Sequence, residues 1–161
     1  MKKFSVTIIG LGNIGMLYDF DDDSKNIFLS HFKSFNHHED FDIVNVVDSD
    51  KNKLLKVIEK FGDKIKVFKD ISQIRGMTDV VVLSSVSKVN HKIFEQLKVN
   101  NRIKLIIIEK PFWNQRNSFS NIDLNSNKFY INYFRKSIPF FRNLKNNIDD
   151  KLFGDILGVH A

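Results

Sequence analysis

The 161-residue chain contains no cysteine. Disulfides, thiolate nucleophiles and cysteine-ligated metal sites are therefore excluded, and the composition fits a reducing, cytoplasmic compartment. Proline is scarce, at Pro111 and Pro139 alone, and the single alanine is Ala161. No apolar run approaches the roughly 20 residues of a membrane-spanning helix, so no membrane association is expected. The start, MKKFSVTIIG, carries two lysines as a secretory leader would. Gly10, Gly12 and Asn13 break its apolar stretch too early, and no small-residue cleavage site follows. Histidine spacing offers nothing for a metal: His31, His37, His38 and His160 have no acid or nucleophile partner in the pattern.

What is present describes a globular chain. Hydrophobic residues make up 42% and charged residues 27%, a balance that disordered chains lack. The net charge is +6, yet lysine outnumbers arginine 20 to 5, and asparagine and isoleucine are abundant. AT-rich codons produce that bias. The lysines are also dispersed among acids, as in KVIEKFGDKIKVFKD, which fits a solvated surface rather than a nucleic-acid interface. A nucleic-acid reading would rest on the basic, aromatic segment NYFRKSIPFFRNLK and would show steep salt dependence.

Along the chain, short apolar runs alternate with helical periodicity. Strands are expected at Phe4–Ile9, Ile43–Val47, Ile65–Phe68, Val80–Leu83 and Leu105–Ile108, each apolar as a strand buried on both faces must be. Helical spacing covers 27–35, then 51–61 with Leu54, Leu55, Ile58 and Phe61 on one face, and then 90–98. Gly62 stops the second helix, and Asp70 caps a brief one at 71–74. The acidic stretch 16–26 is expected as a loop. These features predict an α/β fold, a doubly wound parallel sheet covered on both faces. After Pro111 the pattern weakens through 113–127. A sixth strand is expected at 129–134, and then a helix capped by Ser137 with Pro139 in its first turn and Phe140, Phe141, Leu144 and Ile148 on one face. A last apolar run starts at Asp155, which suggests a strand whose partners lie in a missing remainder.

GLGNIG places Gly10, Gly12 and Gly15 directly after the first strand. In that context the first glycine allows the tight turn, the second lets backbone approach a pyrophosphate, and the third allows close helix packing. Phosphate would then sit on a helix N-terminus. Asp48 ends the second strand. A carboxylate there can accept from an adenosine ribose and repel a 2′-phosphate; capping the helix near Lys51 is its other reading. Ser84 and Ser85 end the third long strand, on the edge where open α/β sheets bind ligands, although plain polar strand ends fit equally. His91 opens the next helix, where a cap or packing role is the commoner one. KLIIIEKPF ends a buried strand at Lys110, next to Pro111. An ammonium on that edge could hydrogen-bond a substrate oxygen.

GLGNIG, VVDSD, VLSSVSKVNHKIF and above all IIIEKPF resemble the Gfo/Idh/MocA oxidoreductases, and YINYFRKSIPFFRNLKNNI followed by GDILGVHA resembles that family's passage into its second domain. The resemblance implies a Rossmann-type dinucleotide-binding domain at 1–133 and the truncated start of a second, α+β substrate domain at 134–161. It implies NAD as cofactor, with NADP as the other candidate, and a sugar-like or polyol substrate. Gly10, Gly12, Asn13, Ile14, Gly15, Asp48, Ser84, Ser85, His91 and Glu109 are then the positions expected at the cofactor, and Lys110 the residue expected at the substrate hydroxyl. Family members carry an acid/base histidine in the second domain, on a sheet that could also build a homo-oligomer. This chain stops where that sheet should begin, and its 112–128 segment is shorter than the family's helix there. A dinucleotide-binding module without turnover is the rival expectation.

Overall fold

The computed structural model describes residues 2–76, 78–111, 128–133, 137–155 and 157–158. Two compact units emerge, Met1–Ile131 and Asn132–Ala161. The first holds β1 (Phe4–Ile9), α1 (His31–His37), β2 (Phe41–Val47), α2 (Lys51–Phe61), β3 (Lys66–Phe68), β4 (Val80–Leu83), α3 (Ser87–Leu97), β5 (Leu105–Ile108) and β6 (Phe129–Ile131). Its six strands form one sheet in the order β3-β2-β1-β4-β5-β6, and every pairing is parallel. This is the doubly wound, Rossmann-type arrangement expected, with its strand order reversing between β1 and β4.

Alternation along the strands divides the core in two. Val6, Ile8, Val46, Val80 and Val82 face one layer with Phe32, Leu54 and Val57. Ile9, Val47, Val81, Leu83, Ile106 and Ile108 face the other, with Phe94 and Leu97 of α3. Both faces of β4 are buried throughout, which is why its sequence is apolar without alternation. Between β1 and β2 the register shifts: Val6 pairs with Ile43, but Thr7 pairs with Asn45. Val44 is the extra residue of that bulge.

Several expectations change. The buried stripe of α2 runs through Leu54 and Val57, with Phe61 packed against the same core, and leaves Leu55 and Ile58 on its exposed flank. The first helix begins at His31, not Ile27, since Ser30 accepts from Lys33 N and caps it. α3 begins at Ser87, so His91 lies within the helix rather than opening it. Past Gly15 there is no long helix: a five-residue π-helical turn, Asn13–Leu17, runs into the acidic loop. β6 ends at Ile131, with Asn132 and Tyr133 outside it.

The second unit contains α4 (Pro139–Asp149), with Pro139 in its first turn. Its N-cap is Ile138 and no side chain caps it, so Ser137 does not play that part. Phe140, Phe141, Leu144 and Ile148 are all exposed. Asp155, Leu157 and Gly158 have no regular structure; the rest of the expected terminal strand, like 113–127 and Phe134, lies outside the described residues.

Candidate functional site

Strands β1, β2, β4 and β5 end at Ile9, Val47, Leu83 and Ile108, and the next residues are Gly10, Asp48, Ser84 and Glu109. Ladder bonding runs on past the strand ends and keeps these residues level. Gly10 N donates to Val47 O, Ser84 N to Ile9 O and Glu109 N to Leu83 O, each at 2.8 Å. The carboxyl edge at the switch between β1 and β4 opens into a cavity of about 540 Å³, lined by Gly10, Gly12, Asp48, Lys53, Ser84 and Ser85 among others.

The three glycines serve different needs. Gly10 has φ +93°, and an added Cβ would lie 2.6 Å from Ser85 Cα. At Gly15 a Cβ would fall on Gly10 O and within 2.8 Å of Ser84 Oγ. Both are required by the protein's own packing. Gly12 is not: its φ of −73° and ψ of −167° suit any residue, and a Cβ there would meet no protein atom within 4 Å. It faces an open cradle that a side chain would fill. The exposed Asn13 and Ile14 are the first residues of the π turn, where backbone N–H groups have no partner within the helix itself.

Asp48 does not cap α2. Asp50 does, accepting from Asn52 N at 2.9 Å. Asp48 Oδ2 accepts from Leu11 N at 2.6 Å and from Lys53 Nζ at 3.2 Å, and its Oδ1 accepts from Asp50 N at 2.8 Å. The carboxylate thus pins the glycine turn to the end of β2, and a lysine matches its charge. Ser84 Oγ donates to Gly10 O at 2.7 Å, tying β4 to the same turn. Ser85 Oγ donates to Asn90 Oδ1, and Asn90 Nδ2 returns a bond to Ser85 O. Asp70, beside the cavity, accepts from Ser72, which holds its carboxyl below the usual carboxylate range.

Glu109 is buried, and its Oε1 stands 2.8 Å from Nε2 of the half-buried His31. Lys110 is exposed at the same edge, and its peptide bond to Pro111 is cis. Asn13, Ile14, Gly15, His91, Glu109 and Lys110 do not line the cavity itself. The sequence gives His31 no acid partner and marks Asn90 only as the start of a helix, whereas the structure sets His31 against Glu109 and Asn90 against Ser85. Their partners are 78 and five residues away; the second spacing resembles an ordinary helix start, and the first leaves no local trace. Among the described residues no group of histidines and acids could hold a metal, and no helix is long and apolar enough to cross a membrane.

No curated protein matches the chain. Solved structures do. The WlbA dehydrogenase of Chromobacterium violaceum, in complex with NADH and UDP-GlcNAcA, aligns with a TM-score of 0.69 at 16% identity, over 96% of this chain and 42% of that one. A myo-inositol dehydrogenase from Corynebacterium glutamicum gives a TM-score of 0.71 at 15% identity, over 95% and 43%. Scyllo-inositol dehydrogenase from Lactobacillus casei, with NAD(H) and scyllo-inositol, gives 0.63 at 20%, over 96% and 43%. The chain therefore spans less than half the length of these structures. Residues 4–122 match the model of the oxidoreductase family with an NAD-binding Rossmann fold, and with the glycine turn, switch-point cavity and strand order in place, the chain belongs to the Gfo/Idh/MocA family.

Proposed function

We propose that this chain is the dinucleotide-holding part of an NAD-dependent oxidoreductase that moves hydride between the nicotinamide and a hydroxyl-bearing carbon of a sugar or polyol. The observation that carries the reading is Gly12. Nothing among the described residues requires a glycine there, so what requires it is a ligand brought against the backbone. In this reading Gly10, Gly12, Asn13, Ile14 and Gly15 cradle the pyrophosphate through backbone N–H groups. The π turn is too short for a large helix dipole, so these local amides carry the contact. Asp48 accepts from the adenosine ribose while holding Leu11. Ser84, Ser85, His91 and Glu109 shape the path of the cofactor along the edge.

When bound, the nicotinamide supplies a hydride acceptor or donor. Lys110 Nζ donates a hydrogen bond to the substrate oxygen and stabilises the alkoxide character that grows as the carbon loses hydride. Residues 134–161 begin a substrate domain, as they do by resemblance, and the longer enzyme works in the cytoplasm on a small sugar-like molecule, as a homo-oligomer built through that domain's sheet. Dinucleotide binding without turnover is the second reading.

Calorimetry of Gly12→Val with NAD⁺ tests the site. The variant should keep the parent's melting temperature, because its Cβ meets open space, and should bind NAD⁺ weaker by a few kcal/mol, about the size of a lost charge-assisted contact and a clash. Unchanged affinity would reduce the motif to a turn.

A further inference from the structure

The connection from β3 to β4 contains one short 3₁₀ turn, Ile71–Gln73. Below it, against β2 and β3, lies a second cavity of about 690 Å³ that shares no lining residue with the crevice of Gly12 and Asp48. Among the described residues three cations line it, Lys64, Lys66 and Arg75, and no carboxylate does. Lys33, Lys53, Lys56, Lys60 and Lys104 each face an acid elsewhere. Lys64, Lys66 and Arg75 form no ion pair with any described residue. Asp79, which bonds the lining residue Ser5, is itself occupied: its Oδ2 accepts from Ser5 N and Oγ, and its Oδ1 faces Lys104 Nζ at 2.8 Å.

Like charges collected on one concave surface raise the local potential and favour an anion. Polar donors accompany them. Gln73 Oε1 accepts from Lys69 N and Asp70 N, which leaves its NH₂ as the group still able to bond. Asn45 interrupts an apolar strand and is 7% exposed. Its Nδ2 donates to Thr7 Oγ1 at 3.0 Å, and Thr78 Oγ1 donates to the same oxygen at 2.9 Å. Burying such groups costs free energy unless they are bonded, and this network keeps Asn45 and Thr78 fixed at the cavity. The remaining lining includes Val44, Phe68 and Ile74.

We propose that this cavity binds an organic anion, its carboxylate, phosphate or sulfonate head met by Lys64, Lys66 and Arg75 and its planar or aliphatic body laid on Val44, Phe68 and Ile74. The volume falls in the roughly 300–1,000 Å³ range of small-molecule sites. A bare inorganic ion would leave the apolar lining wet.

The probe is 1-anilinonaphthalene-8-sulfonate, which has both parts, titrated into the full chain with fluorescence as readout. A single saturable site is expected, weakening as salt is raised. The triple variant Lys64→Gln, Lys66→Gln, Arg75→Gln changes only exposed side chains and should weaken the probe at least tenfold with an unchanged melting temperature. A control, Lys88→Gln with Lys92→Gln on α3, should bind as the parent does. No saturable binding, equal binding by the triple variant, or equal loss in the control would each overturn the proposal. The comparison needs no NAD⁺, so its outcome is independent of the dinucleotide reading.

Discussion

His31 Nε2 and Glu109 Oε1 are 2.8 Å apart, although 78 residues separate them in the chain. The contact joins the first residue of α1 to the end of β5. An ionised carboxylate only accepts, so the imidazole Nε2 donates. Removing one member of such a pair leaves the other buried without it, and hydrogen bonds to charged groups contribute about 1.5–3 kcal/mol. His31→Ala should lose stability of that order in urea denaturation, and His31→Gln, which keeps a donor, should lose less. Equal stability in all three proteins would show the pair to be energetically neutral.

Asp48 carries two duties that separate substitutions can divide. Asp48→Asn keeps an oxygen for Leu11 N but removes the charge; Asp48→Ser removes both. The first turns the oxygen that accepts from Asp50 N into a donor, so it should lose about 1 kcal/mol of stability and gain NADP affinity relative to NAD, since a repulsive carboxylate has gone. The second should gain in the same ratio while losing more stability than the first, because the bond from Leu11 N goes as well. Calorimetry with both cofactors decides. An unchanged ratio in both variants would confine Asp48 to holding the turn.

Lys110→Ala, placed in a version of the protein that includes the substrate domain, should lower kcat by roughly 10²–10⁴, the range for a positioned acid/base group. NAD⁺ affinity should persist, because the glycine turn lies elsewhere on the edge. The 161-residue chain alone should bind NAD⁺ and turn over little substrate. Full activity of the variant would make Lys110 an ordinary strand end.

Asp79 sets an acid limit. Hydrogen bonding from Lys104, then from Ser5, holds its carboxyl far below the usual range. A carboxyl depressed in the folded state adds stability that is complete above its unfolded pKa of about 3.9. That stability drains away as pH falls from there towards the folded value. Thermal melting between about pH 4 and 2 should therefore drop more steeply in the parent than in Asp79→Asn. Parallel curves would exclude the contribution.

Much of this was legible from local pattern. β1, β4 and β5 end where their apolar runs end, because strands buried on both faces advertise their length in composition. The glycine turn was marked by its motif after a strand, and Asp48 by its place at the end of an apolar run, not by its distance from the glycines. The limits of α1 did not: the aromatic periodicity of 27–35 continued past the point where Asp19 captures Leu29 N and Ser30 N, at 2.5 and 3.2 Å, and fixes the helix entry. The same holds for the acidic loop. Lys33 donates to Asp22 at 2.8 Å and lowers its carboxyl pKa, and Lys60 donates to Phe20 O. Those bonds decide where the loop lies, and no local window contains both ends of each.

The bulge at Val44 bears on how this domain could be altered. By carrying one residue more than β1 over the same span, β2 brings Val47 level with Ile9 and delivers Asp48 beside the glycine turn. A deletion of Val44 alone would leave the pairs on either side of it in place, Val6 with Ile43 and Thr7 with Asn45, so the downstream strand would keep its register and its faces. Leu11 would keep its carboxylate, and a regular ladder would replace the bulge. For a protein engineer, the bulge is a place where β2 can give up one residue without moving Asp48.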